Sequence, residues 1–250
     1  MLKNKLLVAA LASSFALSAF ADDFTPSANV SLVSDYLYRG ISQTGAGPAI
    51  QGGFDLVHAS GLYIGAWGSS ISWLSDAAVA STAGLELDTY AGYKSTAADI
   101  GYDLGFLRYN YPGTYAAGAT KADTNELYGA LSYAYVTAKL SYSLGDLFGV
   151  ANAKGSTYFD LSASYAIPDS GYTVGAHYGL QTYKGSTADG FKAAGADPTY
   201  ADYKLSVSKD FSGYVLGLTV SSTNASTFYT SPQNKKLGKG TAVLSLSRTL

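Results

Sequence analysis

The chain has 250 residues, enough for one domain with a large buried or lipid-facing surface, and only 14% of them are charged, well below the share usual in soluble domains. A formal net charge of −2 argues against a nucleic-acid partner, and the absence of Cys excludes a disulfide framework, a thiolate metal site and a catalytic thiol. Tyr contributes 22 residues and Gly 28, against 6 Pro; this balance suits strands with one face toward lipid and the other toward a crowded lumen.

At the N-terminus, Lys3 and Lys5 precede an apolar, small-residue run over 6–20, and Ala19-Phe20-Ala21 has the form of a cleavage site ahead of Asp22. The run is shorter than the roughly 20 apolar residues of a membrane helix. It predicts a cleaved signal peptide over 1–21, with an uncleaved anchor as the alternative. No helix-length apolar stretch follows, so a membrane domain over 22–250 must be a closed β-barrel, in which every backbone group is paired internally.

Along the mature chain, apolar and polar residues alternate with period two in segments of about ten residues, the span of a tilted transmembrane strand. Twelve such segments are predicted. The first covers 28–39. The second sets Ile50, Phe54 and Leu56 against Gln51 and Asp55, and the third covers 62–73. The fourth sets Leu85, Leu87, Ala91 and Tyr93 against Glu86, Asp88, Tyr90 and Lys94. The fifth sets Ile100, Tyr102, Leu104 and Phe106 against Asp103; the sixth sets Leu127 and Leu131 against Glu126 and Tyr128; the seventh sets Leu140 and Tyr142 against Lys139 and Ser141. The eighth opposes Phe159 and Leu161 to Asp160 and Ser162. The ninth opposes Val174 and Tyr178 to His177 and Gln181. The tenth opposes Tyr203 and Leu205 to Asp202 and Lys204. Leu216 and Leu218 mark the eleventh, and Leu244, Leu246 and Leu250 the twelfth.

The connections alternate in length. Short ones are predicted at 59–61, 95–98, 136–137, 167–171 and 210–213, and longer ones at 40–48, 74–83, 112–124, 145–155, 184–199 and 224–239. Outer-membrane barrels have short periplasmic turns and longer outer loops, and a β-sandwich has no reason to copy that alternation. The fold expected is therefore all-β, a transmembrane antiparallel up-and-down barrel of about 12 strands with both termini periplasmic. Tyr93, Tyr102, Tyr135, Tyr172, Tyr178 and Tyr214 fall near the ends of outward runs and predict an interfacial aromatic girdle. The last strand resembles the C-terminal strand by which the outer-membrane assembly machinery recognises its substrates. It departs in carrying Arg248 on the apolar face, where the side chain would snorkel to the interface.

Several stretches together resemble the TorF-like porins, catalogued also as the bacterial domain Gcw_chp. They are Ser34-Asp35-Tyr36-Leu37-Tyr38-Arg39-Gly40-Ile41-Ser42-Gln43-Thr44, Gly61-Leu62-Tyr63-Ile64-Gly65-Ala66-Trp67-Gly68-Ser69, Leu85-Glu86-Leu87-Asp88-Thr89-Tyr90-Ala91-Gly92-Tyr93, Tyr109-Asn110-Tyr111-Pro112-Gly113 and Ser208-Lys209-Asp210-Phe211. The resemblance implies a Gram-negative outer-membrane protein of porin type and supplies no substrate.

The inward faces hold mixed charge, with Asp35, Arg39 and Asp55 among them. Glu86, Asp88, Lys94, Asp103, Glu126, Lys139, Asp160, His177 and Lys204 are the candidate pore-lining residues. A twelve-stranded barrel lies between those filled by side chains and those that hold a channel. The acidic set Glu86, Asp88, Asp103 and Glu126 would favour cations if it faced the lumen, or would form a salt-bridged wall with Lys94 and Lys139. Chelation of a hard cation by Glu86, Asp88 and Asp103 has no fixed-spacing loop behind it. The leading expectation is passive diffusion of small solutes or ions by a monomer, without cofactor or chemistry. The alternatives are a non-conducting structural or surface-interaction barrel and, more remotely, an outer-membrane hydrolase built on His177 with Ser162 or Ser164, for which no Gly-x-Ser-x-Gly elbow occurs.

Overall fold

The computed structural model describes residues 23–250, so the signal peptide expected over 1–21 lies outside the described residues. Twelve antiparallel strands close into one barrel: β1 (Phe24–Val33), β4 (Ala49–His58), β5 (Leu62–Ser70), β6 (Leu85–Ala97), β7 (Ile100–Asn110), β8 (Thr124–Tyr133), β9 (Val136–Ser143), β10 (Thr157–Ala166), β11 (Tyr172–Thr182), β12 (Tyr200–Phe211), β13 (Tyr214–Thr223) and β14 (Thr241–Thr249). Each pairs with its neighbours in sequence, and β1 closes the ring on β14 with Asn29 opposite Thr249 and Val33 opposite Ser245. All twelve predicted strands are present, with ends shifted by a few residues. The larger departure is the first, which stops at Val33 instead of Arg39.

The faces follow the alternation. Leu32, Ile50, Phe54, Ile64, Leu104, Leu131, Leu205, Val220 and Leu244 stand exposed on the outer wall, whereas Glu86, Glu126, Ser141, Gln181 and Asp202 are buried inside. This is the reverse of a soluble protein: an apolar belt outside and polar groups within. No helix among the described residues is long and apolar enough to cross a membrane.

Two tight turns use the left-handed backbone. Ala98 and Asp99 link β6 to β7 with φ of 48° and 67°, and Ser212 and Gly213 link β12 to β13 with φ of 57° and 90°. Positive φ at both central residues is the type I′ pattern, whose twist matches the strands it joins. Arg248 lies 4.4 Å from the Tyr214 ring centroid, one of several outward aromatics beside the short turns, with Tyr93 and Tyr102 (6.2 Å apart) and Tyr135 and Tyr165 (4.9 Å). Tyr178 differs from the expectation: it sits in mid-strand, 5.5 Å from Tyr203 on β12.

At the other end the long connections carry α1 (Trp73–Asp76), α2 (Ser186–Ala193) and a 3-10 turn at Thr227–Tyr229. The connection after β1, residues 34–48, turns inward. It forms a small hairpin of β2 (Leu37–Tyr38) and β3 (Ile41–Ser42), with Leu37 opposite Ser42 and Tyr38 opposite Ile41. Tyr36, Ile41, Ser42 and Gln43 are buried, unlike the tips of ordinary surface loops.

Candidate functional site

The inner hairpin and the wall beneath it form the candidate site. Arg39 and Gly40 are its two turn residues, with φ of 47° and 77°. Glycine takes this conformation freely; Arg39 does so at a cost of roughly 1 kcal/mol, which the surrounding contacts must hold. A Cβ on Gly40 would lie 2.7 Å from Asp202 Cβ on β12 and from Thr223 Cγ2 on β13, so the turn packs against the wall at a place where only glycine fits. The base is tied by Ser42 and Thr44, which donate to Asp35 Oδ1 at 2.6 and 3.0 Å, by Gln43 N donating to Tyr36 O at 2.7 Å, and by Ser42 N donating to Leu237 O at 3.0 Å.

From this turn the Arg39 guanidinium reaches two strands. Nη2 donates to both carboxylate oxygens of Glu126 on β8 at 3.0 and 2.8 Å, and Nη1 donates to Gln181 Oε1 on β11 at 2.6 Å. The same group lies 4.2 Å from the Tyr158 ring centroid on β10 and 4.9 Å from that of Tyr38. Burial is the largest influence on its ionisation and works against the charge, but Glu126 beside it more than offsets that and holds the guanidinium pKa well above its ordinary value. Tyr36 donates to Glu86 Oε1 on β6 at 2.8 Å, and Tyr38 donates to Tyr109 on β7 at 2.7 Å. The hairpin thus spans the lumen from β6 to β13.

A second layer lines the wall. The His177 ring on β11 meets Asp202 Oδ1 through Nε2 at 2.9 Å and Asp160 Oδ2 through Nδ1 at 3.1 Å. Ser162 Oγ is 3.1 Å from Nδ1 and donates to Asp160 Oδ1 at 2.5 Å, while Lys204 Nζ lies 3.8 Å from Asp202. Tyr158 donates to Asp202 Oδ2 at 2.8 Å and so joins this layer to Arg39. A carboxylate at each ring nitrogen makes both nitrogens donors and leaves no lone pair to take a proton from serine. The structure brings His177 to Ser162 but not to Ser164, which pairs with Gly175, and the arrangement is a charge clamp instead of a nucleophile–base pair.

Across the lumen, Tyr63 donates to Asp103 at 2.6 Å and is hydrogen-bonded to Tyr128, and Tyr90 donates to Asp55 at 2.7 Å. Lys139 Nζ stands 3.9 Å over the Tyr128 ring and Lys94 Nζ 5.6 Å from that of Tyr63. The sequence-predicted residues therefore fall into groups. Glu86, Asp88 and Glu126 are buried around the hairpin, and Glu86 Oε2 and Asp88 Oδ1 have no hydrogen-bond partner. Asp103 stands apart from them with the tyrosines. The salt-bridged wall expected with Lys94 and Lys139 is replaced by Arg39, which reaches Glu126 because the chain leaves the wall after Val33. Among the described residues no three acidic or His side chains converge as metal ligands would.

Strand alternation placed Tyr90 and Tyr128 inward; the structure adds Tyr63 and Trp67 to them and lays all four against glycines of the neighbouring strands. Gly53, Gly65, Gly92 and Gly105 are the direct cross-strand partners of Trp67, Tyr90, Tyr63 and Tyr128. A Cβ on Gly92 would meet the Tyr63 hydroxyl at 2.3 Å and one on Gly105 the Tyr128 ring at 2.4 Å. An inward glycine opposite an inward tyrosine was the available signal.

A family model described as "Bacterial protein of unknown function (Gcw_chp)" matches residues 18–250. The chain belongs to this family. No curated protein matches it by sequence. By structure, the Gcw_chp barrel is similar to the NanC porin, at 8% identity over 90% of this chain and 98% of that one, with a TM-score of 0.51. It is also similar to the KdgM porin, solved in complex with disordered oligogalacturonate, at 8% identity over 90% and 98%, with a TM-score of 0.49. LpxR from Salmonella typhimurium is similar at 12% identity over 90% and 99%, with a TM-score of 0.45. At these identities the likeness extends to the barrel fold.

Proposed function

We propose that this protein is an outer-membrane channel of the porin kind, a non-enzymatic conduit for passive diffusion of small solutes or ions, narrowed by the inward hairpin. The observation that carries this is the closed twelve-stranded barrel with an apolar outer belt and a polar, charge-bearing lumen. A hairpin bonded across such a lumen would narrow it, and the side chains on the wall below it carry charge that suits water. The NanC likeness supports the same fold and the TorF-like resemblance the same role. In this reading the chain is exported by its signal peptide, folded by the outer-membrane assembly machinery and works as a monomer, with the long connections outside the cell.

The charges divide in a way that bears on selectivity. Glu86 and Asp88 are shielded behind the hairpin and Glu126 is neutralised by Arg39. The other lumen charges balance, with Asp55 and Asp103 set against Lys94 and Lys139, and Asp160 and Asp202 against His177 and Lys204. Equal numbers of each sign give weak ion selectivity and not the strong cation preference that the acidic set alone would produce. Refolded protein in a planar bilayer under a salt gradient should show discrete current steps with a reversal potential near zero. A folded barrel without steps would overturn the channel and favour the surface-interaction alternative.

A further inference from the structure

The mouth of the barrel holds a cavity of about 590 Å³ that the channel reading does not use. Residues of all six long connections line it. It is floored by Tyr38 and Arg39 of the hairpin and walled by Trp73, Tyr111, Phe148, Phe191, Phe228 and Tyr229 among others. The rings brace one another edge to face: Trp73 on Tyr111 at 5.6 Å and 85°, Phe191 on Phe228 at 5.0 Å and 63°, and Phe228 on Tyr229 at 4.9 Å and 77°. Such a wall is held in place before any ligand arrives, and the size is that of a small-molecule site.

The charges indicate which ligand fits. Those lining the cavity are Arg39, Asp76 and Lys235. Arg39 is already matched by Glu126 beneath the floor, and at the rim the opposite charges of Asp76 and Lys235 cancel in sum, Asp76 accepting from Ser72 at 2.7 Å and Lys235 donating to the Gly45 carbonyl at 3.3 Å. No net charge is left to recognise an ion, and an ionic ligand would leave its hydration shell without compensation. The polar groups that remain, Gln43 and Gln181 among them, are neutral. We infer that this vestibule binds a small uncharged aromatic molecule, stacked against the rings directly above the hairpin. The inference deepens the channel reading by naming a solute class, and it rests on that reading only for the claim that the bound molecule is cargo.

The chain has two tryptophans, Trp67 and Trp73, and only Trp73 lines the cavity. In detergent-solubilised full barrel, 4-bromophenol, an uncharged heavy-atom quencher, should quench Trp73 saturably in the Trp67→Phe variant. It should quench Trp67 much less in the Trp73→Phe variant. Ala119→Leu, which adds volume inside the cavity, should weaken the saturable phase by about tenfold while leaving the barrel folded. Linear quenching, equal in the two tryptophan variants, would mean partition into the detergent and would overturn the site. Saturation by 4-bromobenzoate but not by 4-bromophenol would overturn the assignment of an uncharged ligand. Saturable binding to a barrel that passes no current would leave the site standing and remove the channel.

Discussion

Arg39 is the residue on which the arrangement turns, because it is the buried cation that holds the hairpin to two strands at once. Replacing it with Ala leaves Glu126 buried and unpaired, at a cost of about 3–5 kcal/mol. The Arg39→Ala variant should unfold at lower denaturant and, once folded, show larger current steps, since the hairpin loses its hold on β8 and β11. Arg39→Lys should not restore the wild-type steps, because an ammonium cannot reproduce the two-oxygen contact with Glu126 together with the bond to Gln181. The glycines opposite tyrosines make a second prediction at this scale. Gly105→Ala places a methyl group into the Tyr128 ring and should lower stability by roughly 1–3 kcal/mol, measurable by the shift of the unfolding midpoint. At this scale the sequence showed that Glu86, Glu126 and His177 face inward, because strand alternation fixes the face. It did not show which cation meets which acid. That depends on where the chain leaves the wall, and Arg39 continues the first strand's alternation as well as it fits a turn.

Among the elements, the strands were legible because each is half apolar and the outward half keeps its period, with polar exceptions such as Thr89 and Arg248. The hairpin was not, since its two-residue strands are too short to show a period. The pairing of Tyr38 with Ile41 around Arg39-Gly40 was the only local sign. Gly40→Ala tests whether this element is seated by the wall. The new methyl group would meet Asp202 and Thr223 and would also have to adopt φ of 77°, so the hairpin should tilt out of the lumen. Increased conductance is the expected result, with a loss of stability smaller than that of Arg39→Ala because a displaced hairpin lets water reach Glu126, and with heat-modifiable gel mobility reporting the fold. The His177 clamp belongs to the wall itself. His177→Ala sets Asp160 and Asp202 free of their shared partner, and it should destabilise the barrel while esterase activity stays at background before and after the change.

For the molecule as a whole, an apolar outer belt around charged contents is a design for lipid outside and water within, and the closed ring leaves no unpaired strand edge. The alternation of short and long connections carried over from sequence to structure. What could not be read was how the six long connections meet, since their packing depends on contacts between residues far apart in the chain. Those contacts make the aromatic vestibule and seat the hairpin below it.

If the hairpin narrows an otherwise continuous lumen, removing it must widen the passage, and Val33 and Ala49, which flank residues 34–48, are direct partners in the β1–β4 ladder. The excursion can therefore be replaced by a two-residue Asn-Gly turn without altering the wall. Single-channel conductance of this variant beside the wild-type barrel, in the same bilayer and salt, is the most direct measurement. Small steps from the wild type and severalfold larger steps from the variant are the predicted result. Equal steps from both, or none from either, would contradict it.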